Sequence, residues 1–174
     1  MTSSGTPTRR ASLWRAAVVT IGGFVLLGLL AGWLWYVLAE PAAYTVTSRG
    51  AVMGEGEAAQ QFGVDVTFGW IGAVAGGGWG ALCAWWYARL GWSHVLLTLA
   101  GAVAASALAW RLGHALGPPE PRAVVRSAEA GTQVAMQVQV GAYGVLLFWP
   151  IAALLGLLVV VTWFTRDDSQ SWPT

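Results

Sequence analysis

Apolar residues fill four long stretches of the chain, roughly Ala16 to Leu38, Val66 to Tyr87, Ser93 to Leu112 and Tyr143 to Phe164, and polar residues gather between them. Each stretch has about the 20 residues a helix needs to cross roughly 30 Å of hydrocarbon. The pattern predicts an all-α integral membrane protein, a bundle of four transmembrane helices over residues 16–164. It is flanked by an N-terminal tail over 1–15 and a C-terminal tail over 165–174. Only Ala88 to Gly91 separate the second and third stretches, so these two helices are expected to form an antiparallel hairpin. The other connections, 39–65 and 113–142, are longer, carry most of the remaining charges and emerge together on the opposite face.

Arginine placement orients the bundle. Arg9, Arg10, Arg15, Arg89 and Arg166 fall on the face of the termini, against Arg49, Arg111, Arg122 and Arg126 on the other. The second group is spread over longer stretches, and basic residues close to span ends mark the cytoplasmic side. Both termini are therefore expected in the cytoplasm. A removable signal is the rival reading of the first stretch, since Val37-Leu38-Ala39 offers small residues for cleavage. A run of about 23 apolar residues exceeds a signal core of roughly 7 to 15, however, and it closes on Trp33, Trp35 and Tyr36, an interfacial anchor.

The outer loops carry a different period. Val134, Met136, Val138 and Val140 alternate with Ala135, Gln137 and Gln139, the mark of a half-buried strand. Ala123 to Arg126 could pair with it, and Tyr44 to Thr47 is also β-favouring. A small extracytoplasmic β cap is expected. Each half of the chain then reads helix, loop with strand, helix, which suggests a parallel internal duplication without a clear sequence repeat.

Composition narrows the function. The chain of 174 residues is 56% hydrophobic and 10% charged, where a soluble domain carries roughly 25% charged residues. All nine basic residues are Arg, and the net charge of +1 offers no field for nucleic acid. A single cysteine, Cys83, excludes an intramolecular disulfide and a multi-cysteine metal site. No metal and no cofactor is expected.

In the second stretch Gly72, Gly76 and Gly80 recur every fourth residue, a side-chain-free stripe against which another helix can approach closely. Gly28 and Gly32 repeat the spacing in the first. These are read as helix-packing positions, within the chain or between copies. Gly76 to Gly78 lie mid-span, away from the free helix N-terminus that a phosphate cradle requires. The twelve tryptophans, among them Trp33, Trp35, Trp70, Trp85, Trp86, Trp92, Trp110, Trp149 and Trp163, cluster near span ends as aromatic belts. A lipid-binding groove is the alternative reading.

Catalytic constellations are sparse, and no catalytic residue is assigned. His94 and His114 lie at opposite ends of the third helix, about a membrane thickness apart, and neither a nucleophile elbow nor a zinc-protease pattern occurs. Asp65 and Arg111 are expected at the same depth on the outer face. Each has a separate role available, Asp65 as a helix N-cap and Arg111 as a snorkelling C-terminal cation. The other reading is an outer polar cluster of Asp65, Arg111 and His114.

The acid at the mouth of the second helix, its glycine stripe, the outer loops and the Phe148-Trp-Pro-Ile-Ala-Ala-Leu-Leu-Gly156 segment together resemble a group of small actinobacterial membrane proteins classed as a domain of unknown function, the 2567 group. The resemblance covers the chain from about Gly23 onward and rests on hydropathy layout and glycine placement. It implies a four-helix plasma-membrane protein and carries no catalytic residue across. The expected function is a non-enzymatic accessory, assembly or scaffolding subunit of an envelope or respiratory complex. Membrane lipids, a larger membrane complex or further copies of the chain are its expected partners. The alternatives are a small oligomeric transporter or channel, or a lipid-binding envelope protein with a site on its outer face.

Overall fold

The computed structural model describes residues 7–39, 43–47, 50–52, 55–87, 90–117, 133–135 and 139–169. In chain order these form α1 (Pro7–Leu38), β1 (Ala43–Thr47), β2 (Gly50–Val52), α2 (Glu55–Tyr87), α3 (Trp92–Leu116), β3 (Gln133–Ala135), a 3-10 turn over Tyr143–Leu147 and α4 (Phe148–Ser169). Four segments of 21 to 29 residues, one per helix, are long and apolar enough to cross a membrane; at about 1.5 Å per residue the shortest reaches about 30 Å. The chain is a multi-pass membrane protein. The helices outrun the apolar stretches: α1 begins at Pro7 and α2 at Glu55, because an α-helix satisfies its own backbone and continues into polar sequence once nucleated.

Many large aliphatic residues lie outside and small residues inside, around a few buried aromatics. Leu26, Leu30, Trp70, Val74, Leu155 and Val159 face outward, while Ala31, Ala102, Ala105, Ala109 and Ala153 are buried. Lipid is as apolar as leucine, so association in it rests on close backbone approach through small residues. Along α1 and α3 the contacts advance together: Phe24 meets Gly101, Gly28 meets Ala105, Gly32 meets Ala109 and Trp35 meets Gly113. A Cβ added at Gly28 would lie 2.8 Å from the Ala105 carbonyl oxygen, and one at Gly32 would lie 2.7 Å from that of Ala109. Along α2 and α4 the same happens: Gly72 abuts the Trp149 indole, Gly76 the Trp149 carbonyl, Gly80 the Ala153 carbonyl, and Gly156 the carbonyl of Gly77.

Contacts that rise together in number mean parallel helices, so the bundle is built from two parallel pairs, α1 with α3 and α2 with α4. Each half of the chain contributes one helix to each pair. Packing between α1 and α2 and between α3 and α4 is thinner, α2 and α3 meet little, and α1 and α4 scarcely at all. The helices therefore run around the bundle in the order α1, α3, α4, α2. The expected hairpin of the second and third helices is antiparallel in direction, yet the two lie across the bundle from one another. A short connection constrains only the ends it joins; the glycine faces decide the neighbours.

Two of the tryptophans expected in the interfacial belts are core residues. Trp35 and Trp149 are 0% exposed. Trp35 packs edge-on to Phe68, with ring centroids 5.0 Å apart at 76°, and its Nε1–H donates to the Val64 carbonyl at 3.0 Å. Trp149 fills the hollow left by Gly72. Trp33, Trp70, Trp85, Trp86, Trp92 and Trp163 are exposed, and Trp110 is half-buried.

The expected β cap is reduced to three short strands, and the fold class is helical. β1 pairs antiparallel with β2, Val46 opposite Ala51, and with β3, Tyr44 opposite Val134. The alternating run from Val134 contributes strand only over Gln133–Ala135, and Gln139 and Val140 are irregular. Its partner is β1, from the other long loop. Residues 123–126, expected to pair there, lie outside the described residues.

Candidate functional site

The segment 139–147, which leads into α4, is held by side chains from α2 and α3. Pro150 stands in the first turn of α4, where its missing N–H is tolerated, but Leu146 four residues earlier thereby lacks its usual donor. The hydroxyl of Ser106, from α3, donates to the Leu146 carbonyl at 2.9 Å. Ala142, which precedes the 3-10 turn, offers no side-chain cap. Asp65 on α2 fills that role from outside: its Oδ1 accepts the amide of Gly141 and its Oδ2 that of Ala142, both at 2.9 Å. One turn earlier, the Gln61 side-chain amide donates to the Gln139 carbonyl at 2.8 Å. Val64, between them, receives the indole of Trp35 from α1.

This geometry revises the sequence reading of Asp65. The residue lies well inside α2, which starts at Glu55, so it does not cap its own helix; it caps the entry to α4. Nor does it meet Arg111, which is exposed, and no ion pair joins the two among the described residues. A direct pair presupposed that α2 and α3 are neighbours, and they lie across the bundle. His114 packs against Trp110, with centroids 6.5 Å apart, and Trp110 against Tyr143 at 6.1 Å and 84°. Asp65, Arg111 and His114 thus border one end of the bundle, with no ion pair between Asp65 and Arg111 among the described residues. A 7% exposed carboxylate with an amide on each oxygen orders backbone through two charge-assisted hydrogen bonds.

Beside Asp65 a groove of about 470 Å³ runs between α2 and the start of α4. Gly69 and Ala73, four residues apart, lie on its floor, and exposed Phe62, Trp70 and Phe148 flank it. Sequence reasoning missed this feature, because its walls come from segments about 80 residues apart. The glycine positions Gly28, Gly32, Gly72, Gly76 and Gly80 all lie at contacts between helices of this chain.

At the opposite end a second polar group is buried: Thr20 at 0%, His94 at 2% and Thr98 at 0% exposed. Trp79 Nε1–H donates to the Thr20 carbonyl at 3.2 Å, and the Tyr87 and His94 rings lie 5.9 Å apart. Among the described residues no three of His, Cys, Asp and Glu converge as metal ligands. The fold and these sites define a membrane-embedded helical bundle whose polar side chains tie helices together at both ends. Comparison with protein-family models, curated proteins and solved structures found no match.

Proposed function

We propose that the chain is a non-enzymatic accessory or scaffolding subunit of a bacterial plasma-membrane complex, with both termini cytoplasmic and both long loops, including the three short strands, outside. The observation carrying this reading is the groove beside Asp65. Its lining is almost wholly apolar, with small Gly69 and Ala73 between exposed Phe62, Trp70 and Phe148, which supply aromatic anchors. Its occupant on this reading is an apolar transmembrane helix of a partner protein. Asp65 holds the entry to α4 rigid, so the groove stands formed before the partner arrives and less ordering is required on binding. The bundle interior, closed by glycine and alanine contacts, favours this reading over a transporter. Kinship with the actinobacterial group of unknown function is part of the proposal and agrees with the four-helix layout.

A photo-crosslinking residue placed at Trp70, compared with one at exposed Val103 on α3, tests the assignment in intact membranes. The expected result is a discrete adduct with a second membrane protein from position 70 and none from 103. An adduct of two copies of this chain, or adducts with lipid alone, would overturn it in favour of an oligomer or a lipid-binding protein.

A further inference from the structure

The groove beside Asp65 and the three-stranded sheet belong to one closed ring of constraints. β2 ends at Val52, three residues before α2 begins at Glu55, and β3 ends at Ala135, four residues before Gln139. At about 3.6 Å per residue those connections reach no further than about 11 and 14 Å. β1 joins the two strands. Thr45 is in register with Val52 on one side and with Gln133 on the other, which sets these two positions about 10 Å apart. From Gln139 the ring closes back onto α2, because Gln61 donates to the Gln139 carbonyl and Asp65 accepts the amides of Gly141 and Ala142.

Both walls of the groove are members of this ring. Phe62, Val66 and Trp70 stand on α2, which β2 feeds, and Ala142, Gly144 and Val145 stand on the segment that follows β3. α2 is fixed against α4 along its glycines. The segment 139–147 is the softer wall: between Gln139 and Ala142 it has neither helix nor strand to hold it, and Gly141, Ala142 and Gly144 are exposed. Its position therefore depends on its attachments, Asp65 and Gln61 on one side and β3 on the other.

We infer that the sheet is a clasp on the groove: by holding β2 and β3 together, β1 keeps the segment 139–147 against Asp65 and so fixes the groove's second wall. The coupling is reciprocal, since two attachments of one short segment favour each other by the same factor. Without the pairing of β1 with β3, the connection that must close onto Asp65 lengthens from residues 136–138 to residues 118–138. Loop closure falls as about the 3/2 power of length, here by up to roughly twentyfold. Gain or loss of strand pairing is thereby passed to a surface on the membrane-spanning part of α2. Its effect on docking rests on the reading of the groove as a partner's site; the coupling itself does not.

Hydrogen–deuterium exchange of the full chain in lipid nanodiscs, read by mass spectrometry on peptides covering 139–147, tests the clasp. Thr45→Pro removes a backbone donor from the central strand, a place that does not accommodate proline. It should speed exchange of these peptides at least about threefold, while peptides of α1 and α3 around Gly28 and Ala105 stay unchanged. Tyr44→Cys with Val134→Cys, opposite each other across β1 and β3, should act in the other direction in a Cys83→Ala background. Oxidised to the disulfide, this pair should slow exchange at least about threefold relative to its reduced form, and it decides alone if Thr45→Pro fails to fold. Exchange of 139–147 that is the same in the oxidised and reduced pair, or unchanged in a folded Thr45→Pro protein, would overturn the clasp. The cross-link from position 70 separates the two readings. No partner adduct in a protein that shows the exchange response would sink the partner reading and leave the clasp; a partner adduct with unresponsive exchange would do the reverse.

Discussion

Replacing Gly76 by alanine adds one methyl group at the point where α2 and α4 come closest to backbone contact. The new Cβ would stand 2.7 Å from the Trp149 carbonyl oxygen, where ordinary contact begins at 3.4 Å. Relief requires α4 to retreat by about 0.7 Å, and Gly80, whose neighbour is the Ala153 carbonyl one turn further along, would loosen with it. Such overpacking costs about 1–3 kcal/mol. Against this, alanine is the better helix former by up to about 1 kcal/mol. Gly78→Ala isolates that second effect, since nothing lies within 4 Å of a Cβ there. Gly76→Ala should therefore be less stable than Gly78→Ala by about 1–3 kcal/mol, with Gly78→Ala at or slightly above wild type. A chain of this length shifts its melting temperature by about 2–4 °C per kcal/mol, so the two variants should melt roughly 2–12 °C apart in a fixed detergent. Far-ultraviolet circular dichroism of the helices can follow the transition. Equal melting temperatures, or a higher one for Gly76→Ala, would refute close α2–α4 packing at this stripe.

Further outcomes follow from the polar ties. Ser106→Ala should destabilise the bundle by about 1–3 kcal/mol by leaving the Leu146 carbonyl unpaired, and Pro150→Ala, which restores a backbone N–H four residues on, should shrink that loss; a loss undiminished in the Pro150→Ala background would disconnect the two. Asp65→Asn should lower thermal stability because only one of the two amides keeps an acceptor, and in a double-mutant cycle its loss should add to that of Arg111→Gln; a coupling above about 0.5 kcal/mol would mean that the two residues interact. For topology, in a Cys83→Ala background, Ser127→Cys should react with a membrane-impermeant maleimide on intact cells and Ser4→Cys should not; the reverse pattern would invert the orientation.

How much of this was legible beforehand differs from residue to residue. Span number, approximate span positions and the spacing of Gly72, Gly76 and Gly80 can be read directly, because hydrophobic length and a four-residue repeat are local properties. The partner of each glycine face cannot. Gly28 meets Ala105 and Gly76 meets Trp149, pairings set by which faces fit most closely. The same limit produced the misreading of Asp65: its chemistry as a capping carboxylate was recognisable, but the amides it serves belong to Gly141 and Ala142. Trp35 and Trp149 have the composition and place of belt residues, and only the glycine hollows opposite them, at Gly113 and Gly72, draw them inside.

By itself, the chain's hydropathy determined that this is a membrane protein of four helices, since no other arrangement satisfies the backbone of four such apolar segments. Its small residues determined that the helices must approach closely. Tertiary structure alone decided that they do so as two parallel pairs, one helix of each pair from each half of the chain, with the shortest connection joining helices that scarcely touch. It also decided which polar groups are consumed in holding the bundle and which, like His94 Nδ1, are buried without a hydrogen-bond partner among the described residues. Hydrophobic burial in lipid does not discriminate among helix neighbours, so that choice rests on surface complementarity between segments distant in sequence, which the order of residues along one segment does not contain.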